Sequence, residues 1–169
     1  MLYSWLSPVS HKKLTARQIN EFMTTRLRFN RLLGVRVTRV HKDGVTVECA
    51  MREDLQNAAQ ALHGGVFATL ADAAMGISLH RHLGGARAIT TVELKINYFR
   101  PVTEGRIFAR ARLVRIGSQI CVGAVELTDD RKRQVGAALV TYMILGDPGR
   151  ADFNPRGASA PLPKRQASP

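Results

Sequence analysis

Hydrophobic and polar positions repeat along this chain with two different periods, and one stretch is apolar with no period at all. Residues 14–31 follow the helical spacing, with Ile19, Phe22, Met23, Leu27 and Phe29 apolar and Arg17, Arg28 and Arg31 on the other side. Thr15 is the predicted N-cap. Segments 35–40 and 45–51 alternate like strands, and the His41-Lys42-Asp43-Gly44 run between them reads as a hairpin turn whose glycine takes positive φ. A loop over 52–62 leads to 64–82, a helix apolar almost all round, stopped by Gly84-Gly85. Four strand-like segments follow, at 88–99, 106–116, 119–128 and 134–145. In the first, Val92, Leu94, Ile96 and Tyr98 share one face, and Thr91, Glu93, Lys95 and Asn97 the other. The connections are short, so neighbouring strands are predicted to pair antiparallel. The expectation is an α+β domain: one N-terminal helix, a hairpin, a buried helix and a four-strand run. A curved sheet can cover part of the buried helix, and a second copy of the chain the rest.

Length and charge narrow this picture. The 169 residues suit a single domain, expected over 14–146, with 1–13 an irregular lead-in. Residues 147–169, rich in Pro, Ala and Ser with some basic residues, read as a disordered tail. No apolar run is long enough to span a bilayer, and the start lacks a secretory pattern. Cys49 and Cys121 fall in strands without metal or redox spacing and are expected to be reduced thiols, which points to the cytoplasm. A formal charge of +12 attracts polyanions. A nucleic acid, a phosphate-bearing small molecule such as a coenzyme A ester, or no specific partner at all would each fit. No nucleic-acid-binding motif is visible, so nucleic acid is not the expected partner.

The chemistry gathers at the buried helix. Gly64 and Gly65 stand at its start, where backbone N–H groups are unpaired and carry partial positive charge. They suit an oxyanion hole, or they simply allow a tight turn into the helix. Asp72 is a lone acid among small apolar residues, costly to bury unless used or paired. It is either a reactive carboxylate or a satisfied core carboxylate. Eight residues separate Gly64 from Asp72, about 12 Å along a helix axis. If both act on one carbonyl, they come from different chains across a two-fold axis.

The chain resembles the hotdog-fold thioesterases of the phenylacetate-degradation (PaaI-like) type. The residues that carry the likeness are Asn57, His63-Gly64-Gly65, Leu70-Ala71-Asp72 and Gly76, then Thr91-Val92-Glu93-Leu94, Ile96-Asn97-Tyr98 with Arg100-Pro101, and Gly105. Weaker likeness runs through Gly117 into the last strand, so about 30–145 is covered. The resemblance implies a hotdog fold, a long central helix wrapped by an antiparallel sheet, dimeric and often tetrameric. It implies hydrolysis of acyl-CoA thioesters with no metal and no cofactor. It assigns Asp72 as general base or nucleophile and the Gly64 N–H as oxyanion donor. Asn57 would help position thioester or water, and Thr91 would aid water, with Thr90 its alternative if the register slips. His63 would shape the loop or polarise the carbonyl.

The sequence departs from the family pattern at Gln60, where many relatives carry glycine, at Gly117-Ser118 in place of Gly-Arg, and at Asp130-Arg131 in place of Asp-Gly. Arg115 and Ser118 are candidates for the CoA phosphates, or plain surface residues. His80 and His82 sit near the helix C-terminus, where a positive imidazole is mildly favoured, and point to different faces. His11 and His41 read as exposed. The rival to an enzyme is a hotdog protein that binds acyl-CoA without hydrolysing it, as a sensor or regulator. A hotdog dehydratase ranks behind both.

Overall fold

The computed structural model describes residues 14–85 and 87–145. The expected lead-in over 1–13 and the expected tail over 147–169 lie outside the described residues. The N-terminal segment is two helices rather than one, α1 (Ala16–Arg26) and α2 (Arg28–Leu33). Thr15 and Gln18 form a reciprocal cap at its start. The Thr15 N–H donates to Gln18 Oε1 at 2.9 Å, and the Gln18 N–H to Thr15 Oγ1 at 3.4 Å. The break falls at Leu27, whose φ of −98° and ψ of 78° are not helical. Beyond α2, Gly34 is left-handed at φ 72°, and the Val35 N–H reaches back to the Asn30 carbonyl at 2.9 Å. This Schellman ending turns the chain into the sheet.

The strands are β1 (Arg36–His41), β2 (Gly44–Ala50), β3 (Ile89–Tyr98), β4 (Arg106–Ile116), β5 (Ile120–Asp129) and β6 (Gln134–Ile144). The long helix between β2 and β3 is α3 (Gly64–His82). All pairings are antiparallel, in the order β1-β2-β4-β5-β6-β3. The expected α+β hotdog architecture is therefore present. Every one of β2 to β6 packs on α3. The core is made by Leu70, Ala74, Met75 and Leu79 from the helix against Val45, Val47, Ile107, Val125, Leu127 and Val140 from the sheet. Cys49 and Cys121 are buried free thiols in this core, pushed above the ordinary thiol value by burial. Among the described residues no helix is long and apolar enough to cross a membrane.

The two sheet edges differ. At β1, the Asn20 side chain of α1 takes the place of a missing strand: its Nδ2 donates to the Val37 carbonyl at 2.8 Å and its Oδ1 accepts from the Val37 N–H at 2.7 Å. At the other end β3 is ten residues long and pairs only with β6 among the described residues. An uncovered edge of that length is a template for another strand.

The first hairpin turns differently from the expectation. Lys42 and Asp43 are its two central residues, and Gly44 lies in β2, paired with His41. Gly44 does not take positive φ. It is needed for space, because a Cβ there would collide with the Ala111 carbonyl oxygen of β4. His41 is half-buried rather than exposed, with its Nε2 2.9 Å from Thr46 Oγ1. Burial, with Arg110 and Arg39 nearby, holds its pKa below the ordinary imidazole value. The obstruction at Gly44 is backbone and cannot rotate away. Gly44→Ala is therefore expected to destabilise the fold by about 3 kcal/mol, the upper range for over-packing, as measured by urea unfolding.

Candidate functional site

The start of α3 is built by the loop before it. Asn57 organises that loop, with its Oδ1 accepting the Ala59 N–H at 2.9 Å and the Ala61 N–H at 3.2 Å. Gln60, one of the departures from the family pattern expected above, is left-handed with φ 58°. The chain re-enters through the Leu62 N–H on the Val102 carbonyl and the His63 N–H on the Leu55 carbonyl. His63 is the N-cap, its Nδ1 accepting from the Gly65 N–H at 2.9 Å. The Gly65 donor is thus consumed. The Gly64 N–H, in the first turn where no helical acceptor exists, meets no acceptor among the described residues. Tyr98, at the end of β3, lies across this glycine. A Cβ on Gly64 would be 3.4 Å from the Tyr98 ring, whose hydroxyl donates to the Gly64 carbonyl at 3.3 Å. Tyr98 also packs edge-on against Phe67, ring centroids 5.7 Å apart. An open polar cleft of about 510 Å³, lined by Glu53, Gln56, Ala59, Gln60 and Thr103, runs beside the loop.

Asp72 lies on the one side of α3 that the sheet leaves half-covered, in a line with Ala68, Thr69, Gly76 and His80. Burial holds His80 below its ordinary value, so desolvation outweighs the expected pull of the helix C-terminus toward a positive ring. Thr91 Oγ1 donates to Asp72 Oδ1 at 2.8 Å. The regular alternation predicted for this strand places Thr91 on the face opposite Leu94. A bulge at Val92 reverses that. Thr91 pairs with Tyr142 and Glu93 with Thr141, two residues on β3 facing one on β6. Thr91 therefore looks at the helix with Leu94, Ile96 and Tyr98, while Val92 is 54% exposed. Thr90 pairs with the outward Met143 and is not the residue at Asp72.

Tyr142 of β6 meets the same carboxylate. Its hydroxyl is 2.8 Å from Asp72 Oδ1 and 3.1 Å from the Asp72 carbonyl oxygen. Sequence reasoning missed it, because a tyrosine on an alternating strand carries no sign of its partner 70 residues away. The one available signal was Gly76, a turn after Asp72, where a Cβ would come within 2.7 Å of the Tyr142 oxygen.

The predicted residues thus fall into three groups within one chain. Asn57, His63 and Gly64 are together at the helix start, and Asp72 and Thr91 are together further along it. The two groups are separated by about 12 Å of unbroken helix. Arg115 and Ser118 lie exposed at the β4–β5 turn. The register runs Thr91, Tyr142, Cys121, Ile116 across four strands, so this turn is about 14 Å from Thr91 across the sheet. Among the described residues no group of three or more His, Cys, Asp or Glu is placed to hold a metal.

Comparison with known proteins fits this geometry. Residues 59–135 match the family described as Thioesterase superfamily. The medium/long-chain acyl-CoA thioesterase YigI of Escherichia coli is 30% identical over 152 residues, 78% of this chain and 97% of YigI. The chain belongs to the thioesterase superfamily. A solved Haemophilus influenzae thioesterase superposes with a TM-score of 0.75 at 19% identity, covering 80% of this chain and 94% of its own. The Escherichia coli PaaI protein of the phenylacetic acid degradation operon superposes at 0.70 with 21% identity, covering 78% and 94%. At those identities the two structures speak for the fold. The chain is a hotdog-fold thioesterase of that superfamily, an enzyme of the thioester hydrolase class, and its fold is like that of PaaI.

In this thioesterase the Asn57 oxygen is occupied by the loop, while its amide nitrogen donates to no described residue. Replacing Asn57 with Ala removes the acceptor of two backbone N–H groups, one of them exposed to water, and is expected to cost about 1 kcal/mol, the net worth of a typical hydrogen bond. Asn57→Asp keeps the acceptor and is expected to melt close to wild type, as followed by circular dichroism.

Proposed function

We propose that this thioesterase hydrolyses an acyl- or aryl-coenzyme A thioester to the free acid and coenzyme A, in active sites completed by two copies of the chain. The observation that carries the reading is Asp72: a half-buried carboxylate on an otherwise apolar helix, with one oxygen held by hydroxyl donors and the other receiving none among the described residues. Asp72 acts on the thioester carbonyl, as general base toward water or as nucleophile. The Gly64 N–H stabilises the negative oxygen that forms on that carbonyl, a task for which a helix N-terminus is suited. The thiolate of coenzyme A departs, and the acyl group leaves as the free acid, directly where water has attacked or after water opens the acyl–Asp72 anhydride where Asp72 has. Thr91 orients Asp72, and the free amide of Asn57 is available to water or thioester oxygen. The outward Arg115 and Ser118 meet coenzyme A phosphates.

A single chain holds Asp72 and Gly64 about 12 Å apart, beyond the reach of one carbonyl. Two features support their meeting across a two-fold axis: the uncovered β3 edge and the half-buried line of α3. A second β3 continuing the sheet brings a second α3 alongside the first, with each Asp72 facing the other chain's helix start. The minimum assembly is a homodimer, and pairing of two dimers makes a tetramer. Helix-to-helix cover of this kind hides the line of α3 that the sheet cannot reach.

An acyl-CoA panel tests the reading, starting with the medium- and long-chain esters named for the Escherichia coli relative. Wild type is expected to turn over, and Asp72→Asn to lose at least about 100-fold in kcat. Binding without turnover by wild type would instead make the chain a non-catalytic acyl-CoA-binding protein. Gly64 allows a sharper test. His63 has φ −61° and ψ 138°, which a following proline tolerates, and proline is favoured at the first helical position. Gly64→Pro deletes the N–H and is expected to lower kcat about 100- to 1,000-fold. Gly64→Ala keeps the N–H and is expected to stay within a few-fold of wild type.

Mixing inactive Asp72→Asn with inactive Gly64→Pro gives a separate check on shared sites. After subunit exchange, half the dimers are hybrids with one intact site each, so activity is expected to return to about a quarter of wild type. No recovery in an exchanging mixture counts against the shared site.

A further inference from the structure

Asp72 touches two hydroxyls, and both sit on the same oxygen. Thr91 Oγ1 and Tyr142 OH are each 2.8 Å from Oδ1. Oδ2 has no donor among the described residues, and Asp72 stands on the half-covered line of α3. We propose that Tyr142 is a positioning residue for Asp72: its hydroxyl, together with that of Thr91, fixes Oδ1 and so presents Oδ2 as the oxygen that works on the substrate. The inference rests on Asp72 being the reactive carboxylate.

Four observations converge on it. Tyr142 is 5% exposed, and the nearer acceptor for its single proton is Oδ1 at 2.8 Å, with the Asp72 carbonyl oxygen farther off at 3.1 Å. Burial, opposed in part by Thr91 and reinforced by the Asp72 charge, pushes the phenol well above its ordinary pKa, so it remains a donor across the working pH range. Gly76 opens the space. It lies one turn beyond Asp72 on the same half-covered line of the helix, and a Cβ there would meet the Tyr142 oxygen at 2.7 Å and its Cζ at 3.3 Å. Glycine inside a helix costs stability relative to alanine, and here it admits the hydroxyl to the carboxylate. The bulge at Val92 brings Thr91 to the same oxygen from β3, and pairing of Thr91 with Tyr142 sets the two hydroxyls side by side. One oxygen gripped from two adjacent strands cannot swing, and the other is left to react.

The test is a cycle of Tyr142→Phe, Gly76→Ala and the double variant, with kcat, KM and melting temperature measured for each on the acyl-CoA that wild type hydrolyses best. Tyr142→Phe keeps the ring and is expected to lower kcat about 10- to 100-fold, as for a misplaced reacting group, with KM within about two-fold, as expected when only transition-state interactions are lost. Gly76→Ala displaces the hydroxyl and is expected to lose a similar factor. In the double variant the added methyl group faces a ring without the oxygen it would strike, so the loss is expected to match Tyr142→Phe alone rather than the product of the two. Unchanged kcat in Tyr142→Phe, or losses that multiply, would overturn the proposal; so would a fall in melting temperature with no fall in kcat. A crystal structure of Tyr142→Phe reads the same point without turnover. Asp72 is expected to leave its rotamer, and an Asp72 held as in wild type sinks the positioning role. Should wild type hydrolyse no thioester in the panel, the proposed function fails on that result, and the rotamer still decides what Tyr142 does.

Discussion

A helix with no polar face has to be covered on every side, and this demand shapes the whole domain. α3 is lined by Leu70, Ala71, Ala74, Met75 and Leu79, all essentially inaccessible. Exposing one such aliphatic side chain costs on the order of 2 kcal/mol. Five strands turn toward the helix and make up most of the cover. Even the glycines serve this closeness: a Cβ at Gly123 of β5 would collide with the Met75 sulfur. The sheet still leaves one line of the helix half-open, and Thr69, Asp72 and His80 lie on it, whereas the buried Ser78 is satisfied by the Val45 N–H and the Ala74 carbonyl. Asp72 is on that line, and its cost is lowered by two hydroxyls and by partial access to water.

The same arrangement explains why the proposed site is divided along one helix. An α-helix offers its free N–H groups only at its start and its side chains anywhere along its length. A donor at the first turn and an acid two turns later therefore stay apart in one chain. The edges of the sheet repeat the asymmetry. Asn20 closes the β1 edge with a side-chain amide, while the outward backbone groups of β3 pair with no other strand among the described residues. The protected edge and the open edge are set by different parts of the chain, and the open one belongs to the strand that also carries Thr91.

Much of the fold was legible from pattern alone. The expected limits of α3 and β4 coincide with those observed, because an unbroken apolar run ended by Gly84-Gly85 and a clean alternation ended by Gly117 leave little freedom. Where local rules misled, a longer-range contact had the deciding part. Gly44 is glycine because β4 backbone presses on it, a fact held by a strand more than sixty residues on. The helix expected over 14–31 breaks at Leu27, where apolar periodicity gave no warning.

Within the site, the residue types and their order along the chain were determined by the sequence itself: a glycine start, a single acid eight residues later and a hydroxyl on the next strand. Local spacing on a helix follows from its fixed rise, so the separation of Gly64 from Asp72 needed no structure. Which hydroxyls meet the acid was decided only by the tertiary fold. A single extra residue at Val92 turns every side chain before it to the other face, and no alternation pattern counts such a residue in advance. Tyr142 reaches Asp72 from 70 positions away, through a register fixed by packing of the whole sheet on the helix. Contacts of that range are set by the sum of many small burials, and no stretch of sequence contains that sum.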